Sequence, residues 1–373
     1  MEFVKSVNEN ELDKWLEVNK TSFLQSSLWQ RILLATGQDV ERVELRCDEK
    51  IVAATLLVYK KLPFGWRYAW CPKGPVAPVI TTEAESRVEG SLKFRASRDS
   101  CAFAKASAGT QSTSLRFARN ESIDVYNALL NYLKSQKCIF LRCEPAEKVD
   151  LQMKQVKEIN PSATLVLDIQ KSAEELLAQM HPKTRYNIRV AERKRLKISY
   201  DKNFSIFWEL LKKTGERDSF ILHSQENYEK VMADDAAQQI TILSSDGHPI
   251  AAGGFIGFGN RYYYLYGALD YNARQLMAPY LLQWSAIQQG KQMGFKYYDF
   301  FGIAPNKNHN EKIKNQKSGE EYLYDSKHPY AGITRFKLGF GGITENAPGT
   351  FDLVIDKRMY CLYKFIRRLR SLM

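Results

Sequence analysis

Residues 239–303 read "QITILSSDGHPIAAGGFIGFGNRYYYLYGALDYNARQLMAPYLLQWSAIQQGKQMGFKYYDFFGI", and the order of patterns within them decides the fold. Three β-type runs come first: "QITILSS", a "DGHP" turn, then "IAAGGFIGFG" and "RYYYLYGAL". Short connections between such runs make antiparallel neighbours. A long helical stretch follows, "APYLLQWSAIQQGKQMG", and then a further strand, "KYYDFFGI". Antiparallel strands followed by a helix and one more strand imply a mixed sheet.

Working outward, the stretch is preceded by "ATLVLDI" as a strand, "SAEELLAQM" as a helix, "LKISYD" as a strand and "FSIFWELLKKTGERD" as a helix. A comparable series precedes residue 160. Residues 10–37 read as a helix and turn, "VERVEL" and "KIVAATLLVYKKL" as strands, and "WRYAWCPKGPV" as a strand ending in a Gly-Pro turn. "SIDVYNALLNYLKSQ" has helical spacing, and "CIFLRCEP" is a short buried strand closed by proline. The series occurs twice, so the architecture is α/β with α+β-type mixed sheets, duplicated in an acyltransferase-like manner. At 373 residues the chain is long for one core, in keeping with two domains. Residues 82–120 break the pattern, being rich in Ser, Ala and Arg and poor in large aliphatics. They read as a tolerated insertion, with a basic nucleic-acid arm as the other reading.

The formal charge of +12 favours a polyanionic partner. No apolar run of about 18 residues is present, and the N-terminus "MEFVKSVNENELDKWL" lacks the apolar core of a signal peptide. Six scattered cysteines without a CxxC pair argue against a zinc ribbon or disulfide framework and for reduced thiols in a cytoplasmic protein. The histidines have no metal spacing. "GGFIGFGN" lacks the GK[ST] ending of a phosphate loop, no R/QxxGxG/A loop for acetyl-CoA is found, and no G-x-S-x-G elbow occurs. Binding and electrostatics must therefore carry the chemistry.

Charge concentrates in "HPKTRYNIRVAERKRLK", residues 181–197, which holds seven basic residues against Glu192. Arg185, Arg189 and Arg193 fall on one face of the expected helix, and Tyr186, Val190 and Leu196 are expected to pack on another. Such a face is either solvated or met by an anion. Alternation along "RYYYLYGAL" puts Tyr262, Tyr264 and Tyr266 on one face and Tyr263 on the other. Asp299 reads as a turn or cap acid at a strand end. Lys337 follows Phe336 in "YAGITRFKLGFGG", before three glycines that permit close backbone approach. The C-terminal "KRMYCLYKFIRRLRSLM" is an amphipathic basic helix, either packed as a tail or touching a membrane surface.

These residues carry a resemblance. "HPKTRYNIRVAERK", "TGERDSF…ENYEKV", "YYYLYGAL…APYLLQWSAIQQGKQMGFKYYDFFGI" and "HPYAGITRFKLGFGG" resemble, in order and spacing, successive signatures of the FemABX family over roughly residues 160–355. Weaker matches at "FLQSSLW", "CPKGPV" and "FLRCEP" extend it over nearly the whole chain except 82–120. The resemblance implies two tandem GNAT-like domains. Domain 1 would span 1–158, with the insertion 82–120, and be completed by 348–373, whose helix returns to it. Domain 2 would span 159–347.

The implied activity is transfer of an aminoacyl group from aminoacyl-tRNA to the amine of a peptidoglycan precursor, either UDP-MurNAc-pentapeptide or its lipid-linked form. No cofactor or metal is implied beyond aminoacyl-tRNA as co-substrate. From the residues themselves, a cytoplasmic monomer is expected, with the basic C-terminal helix offering peripheral contact at the inner face of the membrane as the alternative to a packed tail. A same-fold N-acyltransferase using acyl-CoA is the alternative. By position in the motifs, Lys337 matches the lysine of the transfer step, with Phe336 beside it, and Glu144, standing where relatives often have Asp, is the catalytic base or amine-orienting group. Arg217 and Tyr228 match contacts to the precursor's nucleotide end, with Tyr264 or Tyr266 in the tyrosine cluster. Arg185, Arg189 and Asp299 complete the substrate-binding set. Arg31 stands in for a lysine that the family often carries after the tryptophan of its "Q…W" motif. Residues 305–327 form a longer loop than usual, and no coiled-coil arm interrupts the second domain.

Overall fold

The structure, a computed structural model, describes residues 2–47, 49–77, 111–218, 221–306 and 322–370. In chain order the first elements are β1 (Phe3–Lys5), α1 (Glu9–Val18), α2 (Ser27–Ala35), β2 (Asp39–Cys47), β3 (Lys50–Lys61), β4 (Arg67–Cys71), α3 (Gln111–Ser135), β5 (Cys138–Cys143) and β6 (Lys154–Gln155). There follow β7 (Ala163–Asp168), α4 (Ala173–Gln179), α5 (Pro182–Arg193), β8 (Lys197–Ser199), α6 (Phe204–Asp218), α7 (Gln225–Ala233), β9 (Ala237–Leu243), β10 (Pro249–Phe258), β11 (Arg261–Leu269), α8 (Ala278–Gln292), β12 (Tyr297–Ile303), α9 (Ala331–Leu338) and β13 (Ile343–Asn346). The chain ends with β14 (Phe351–Val354) and α10 (Lys357–Arg370).

These elements form two compact units: Met1–Gln30, Gln38–Glu158 and Pro348–Met373 in one, and Arg31–Gly37 with Ile159–Ala347 in the other. Each holds a seven-stranded sheet, ordered β1-β2-β3-β4-β5-β14-β6 and β13-β7-β12-β11-β10-β9-β8. Among the described residues each sheet has a single parallel pair, β4 with β5 and β11 with β12, and every other pairing is antiparallel. The parallel pairs are those joined through a helix, α3 or α8, because a parallel partner must be reached by a crossover. The same local plan is therefore executed twice.

In the second sheet α8 is buried nearly all round, through Leu281, Leu282, Trp284, Ala286, Ile287 and Gly290. It packs with Phe255, Tyr262, Tyr298 and Phe300 in one core. Contact is close: a Cβ on Gly290 would lie 2.8 Å from the Tyr262 ring. A second core, from Phe207, Leu210, Leu211, Tyr228, Met232 and Ala268, gathers under α6 and α7 on the sheet's other face.

Several expectations are corrected. Helix α3 starts at Gln111, so the last ten residues of the 82–120 segment are helical, while 82–110 lies outside the described residues. Most of the 305–327 loop, residues 307–321, lies outside them too. Cys71, Cys138, Cys143 and Cys361 are free thiols, but Cys47 is disulfide-bonded. The absence of a CxxC pair does not predict this, because pairing follows spatial and not sequence proximity. On α5 the buried stripe is Thr184, Asn187, Ile188 and Ala191. Tyr186 lies outside that stripe and is 60% exposed instead of packed.

The Tyr262–Tyr264–Tyr266 face is broken by a bulge. Tyr264 pairs with Phe255 and Tyr266 with Gly254, which leaves Leu265 unmatched. One extra residue reverses the alternation. Tyr262 and Tyr264 face the α8 core, whereas Tyr266 packs on Tyr228 and Phe207 in the α6–α7 core.

Candidate functional site

The site in the second unit forms where a sheet comes apart. Strands β11 and β12 pair over three rungs only, Arg261 with Tyr297, Tyr262 with Tyr298 and Tyr263 with Asp299. Just beyond the last rung both strands bulge, β11 at Leu265 and β12 between Asp299 and Gly302, where Phe301 has φ +57°. The bulge leaves Asp299 in mid-strand and not at a strand end as the sequence reading had it. It also leaves backbone without ladder partners, and those groups need others.

Lys337 fills this gap. It projects from the last turn of α9, where the helix dipole favours a cation, and is 4% exposed. Its Nζ donates to the Gly302 carbonyl at 2.7 Å and lies 5.7 Å from the centre of the Tyr264 ring. Burial of the ammonium lowers its pKa to about 7, against the opposing pull of Asp299. Near neutral pH this amine exists in both protonation states. It can therefore hold a negative charge or exchange a proton.

The surroundings are closely packed. A Cβ on Gly267 would lie 1.7 Å from the Tyr264 hydroxyl oxygen, so the ring rests directly on that glycine. Burial raises the Tyr264 hydroxyl's pKa, keeping it a neutral donor. Phe336 packs edge-on against Tyr280 and Phe340, at 5.1 and 5.3 Å. The three glycines after Lys337 serve the chain's own packing. Gly341 and Gly342 take φ of +80° and +108°, and a Cβ on Gly342 would lie 2.6 Å from the Val166 carbonyl oxygen. A Cβ on Gly339 would meet the Thr184 hydroxyl at 2.4 Å. The approaching backbone is that of β7.

Asp299 is 3% exposed. It accepts from the Thr164 hydroxyl, the Phe301 N–H at 2.7 Å and Arg261 at 3.3 Å. Burial pushes its carboxyl upward against those three partners. Arg261 continues to Glu345 at 2.7 Å. Thr164, Arg261 and Gly302 carry no advance signal in sequence. Gln283, which accepts from Tyr298 at 2.7 Å, does: it is a polar residue inside the apolar run "LLQWSAI".

The remaining candidates lie elsewhere. Tyr228 and Tyr266 meet at 5.0 Å, and Arg217, at the end of α6, holds Asp218 at 2.7 and 2.5 Å and lies 5.1 Å from the Tyr271 ring. Arg31 forms a two-point ion pair with Asp234, at 2.9 and 3.1 Å. Arg185 donates to the carbonyls of Leu177, Ala178 and Met180, closing the C-terminus of α4. Arg189 is exposed, so the charged face divides into one structural arginine and an outward set. Glu144, in the first unit, is 3% exposed, donates its N–H to Gly74, and accepts from the Lys73 N–H and the Thr350 hydroxyl.

A mixed sheet with a helical crossover to a parallel pair, built twice, is a tandem GNAT-like fold, and its second copy holds a buried amine where that pair opens. The FemAB family description matches residues 7–106, 150–245 and 233–368. The chain belongs to the FemAB family and is an enzyme of the acyltransferase type. The Lipid II:glycine glycyltransferase of Staphylococcus aureus (strain MRSA252) is 22% identical over 441 aligned residues, covering 97% of this chain and 95% of the relative. Aminoacyltransferase FemB of Staphylococcus epidermidis is 28% identical over 136 residues, 36% of this chain and 28% of its own. Among solved structures, FemX superimposes with a TM-score of 0.69 at 18% identity, covering 97% of this chain and 99% of FemX. That likeness speaks for the fold.

Proposed function

We propose that the protein forms peptidoglycan interpeptide bridges by moving an aminoacyl group from aminoacyl-tRNA to the side-chain amine of a precursor stem peptide. The observation that carries this reading is Lys337, a buried amine held between Gly302 and Tyr264 where β11 and β12 part. Family membership and the name of the Staphylococcus aureus relative support the peptidoglycan acceptor, in its lipid-linked form. The donor is an activated ester. Attack by the neutral acceptor amine forms the C–N bond and places negative charge on the carbonyl oxygen; as that charge collapses the ester C–O bond breaks, and the proton the amine gives up ends on the departing ribose oxygen, releasing the tRNA hydroxyl. Protonated Lys337 stabilises that oxygen in a dry site, where one donor counts for more than in water. Phe336 packs its ring on Tyr280 and Phe340 beside the lysine, and the reaction calls for no cofactor beyond the charged tRNA. The reaction is placed in the cytoplasm, where charged tRNA is available.

The direct test supplies a mixed charged-tRNA pool with UDP-MurNAc-pentapeptide or with its lipid-linked counterpart and identifies products by mass. Turnover with acyl-CoA and none with charged tRNA would overturn the donor. If the ammonium form of Lys337 acts, kcat/KM contains a limb that falls as pH rises through about 7. Lys337→Arg, charged throughout, should lose that limb while keeping part of the activity. A profile of the same shape in both enzymes would remove the charge from the mechanism.

The basic face of α5 is assigned to tRNA phosphates through Lys183, Arg189 and Arg193, which are exposed around Tyr186. Arg189→Gln with Arg193→Gln should weaken tRNA binding and lower the salt slope by about 1–2, the change expected for one or two phosphate contacts. Arg185→Gln should instead lower the melting temperature, because the α4 carbonyls lose their donor. A salt slope unchanged in the double variant would return this face to solvent.

A further inference from the structure

Helix α10 carries more apolar surface than the first unit covers. Its inner side packs Tyr360, Met359 and Tyr363 against Ile139 and Phe140 of β5 and against Leu62, Trp66 and Tyr68. A second stripe, Leu362, Phe365 and Leu369, spaced three and four apart on one helix face, remains 41%, 60% and 48% exposed. The turn between β3 and β4 adds Phe64, which is 87% exposed and held in a left-handed backbone at φ +62°. Phe64, Leu362 and Ile366 line one apolar groove. A phenylalanine in a conformation that favours glycine, projecting beside an uncovered stripe, has no packing role in this unit.

The helix itself carries charge of one sign. Residues 357–370, "KRMYCLYKFIRRLR", contain no acid. Lys357, Arg358, Lys364, Arg367 and Arg368 share the helix with the stripe, and Lys61 adjoins the Phe64 turn, where Asp39 is paired with Arg67 at 3.6 Å. An apolar stripe on a helix whose own charges are all cationic complements an anionic bilayer surface, where side chains such as Phe and Leu enter the acyl boundary and Lys and Arg remain among the headgroups.

We propose that the Phe64 turn and the Leu362–Phe365–Leu369 stripe of α10 are a docking surface for anionic membrane. It sits on the first unit and stands whether or not the transfer reading holds, since it uses none of the candidate site's residues. Docking would confine the enzyme to the layer in which a lipid-linked acceptor lies.

Flotation of the full-length protein with vesicles tests this. Vesicles of phosphatidylglycerol and phosphatidylethanolamine should carry the protein upward at low salt, and vesicles of phosphatidylcholine alone should not. Phe64→Ser and Phe365→Ser should each weaken partitioning about tenfold or more, the factor for losing one inserted aromatic side chain. Their melting temperatures should match wild type, since both rings are exposed. Three results would overturn the proposal: no flotation with anionic vesicles, binding indifferent to both substitutions, or a concentration-dependent dimer by light scattering that either substitution abolishes. The last would make the stripe a contact between two copies.

Discussion

Lys337→Met is expected to lower kcat about 10²–10³-fold, the loss associated with removing one oxyanion donor, while making the protein more stable. The two effects share a cause. Burial pulls the Lys337 pKa to about 7 from an ordinary value of 10.5, so the unfolded chain binds a proton between those pH values that the folded chain has released. Stability contributed by this group therefore rises with pH from about 7 to 10.5, and at pH 7 or below it is at its most unfavourable. Methionine removes a penalty on the order of a few kcal/mol. Loss of the Nζ bond to Gly302 gives back roughly 1–2 kcal/mol of that. The variant should melt higher than wild type at pH 6–7, and the gap should narrow toward pH 10. A variant that melts normally and transfers at the wild-type rate would sink the assignment. Loss of precursor binding in proportion to activity would make Lys337 a binding group instead.

What was legible in the sequence follows from what periodicity encodes. The strands of residues 239–303 and helix α8 were readable because burial on one or both faces imposes a period, and the short turns between the first three runs impose antiparallel order. Family signatures added the lysine. The site's geometry was not legible, because it depends on departures from period. Leu265 is one residue too many for β10, and nothing in "YYYLYGAL" distinguishes a bulge from continuous alternation. Tyr266 was accordingly placed with Tyr264 when it belongs with Tyr228. Arg185 and Arg189 sit one helical turn apart with equal charge, yet only Arg185 can reach the end of α4, a neighbour set by tertiary packing. The glycines after Lys337 signal a close approach, which sequence alone assigns to a substrate backbone, whereas in the fold it is β7 and Thr184 that approach them. Gln283 was the one polar signal available in advance, since an amide within an apolar helix needs a partner.

Asp352→Ala should be the most damaging substitution to the first unit, costing about 3–5 kcal/mol, as removal of one partner from a buried ion pair does. Asp352 is fully buried on β14 and holds Arg142 of β5 at 2.7 and 2.8 Å, in register across the two strands. It also accepts from the Tyr360 hydroxyl at 2.9 Å, so one carboxylate fastens β14 to β5 and α10 to β14. Alanine leaves the Arg142 guanidinium and the Tyr360 hydroxyl without this acceptor in a space where water is scarce. Strand β14 lies between β5 and β6 although more than 180 residues of chain separate it from either, so its docking depends on such contacts. Hydrogen exchange should show the loss locally, with the β5 and β14 amides and the first turns of α10 opening before the sheet of the second unit. Replacing Arg142 with Met and Asp352 with Leu together should recover much of the stability, because no unpaired charge remains buried. Uniform exchange across both units in Asp352→Ala, or a double variant as weak as the single one, would mean that the pair does not hold the C-terminal segment in place.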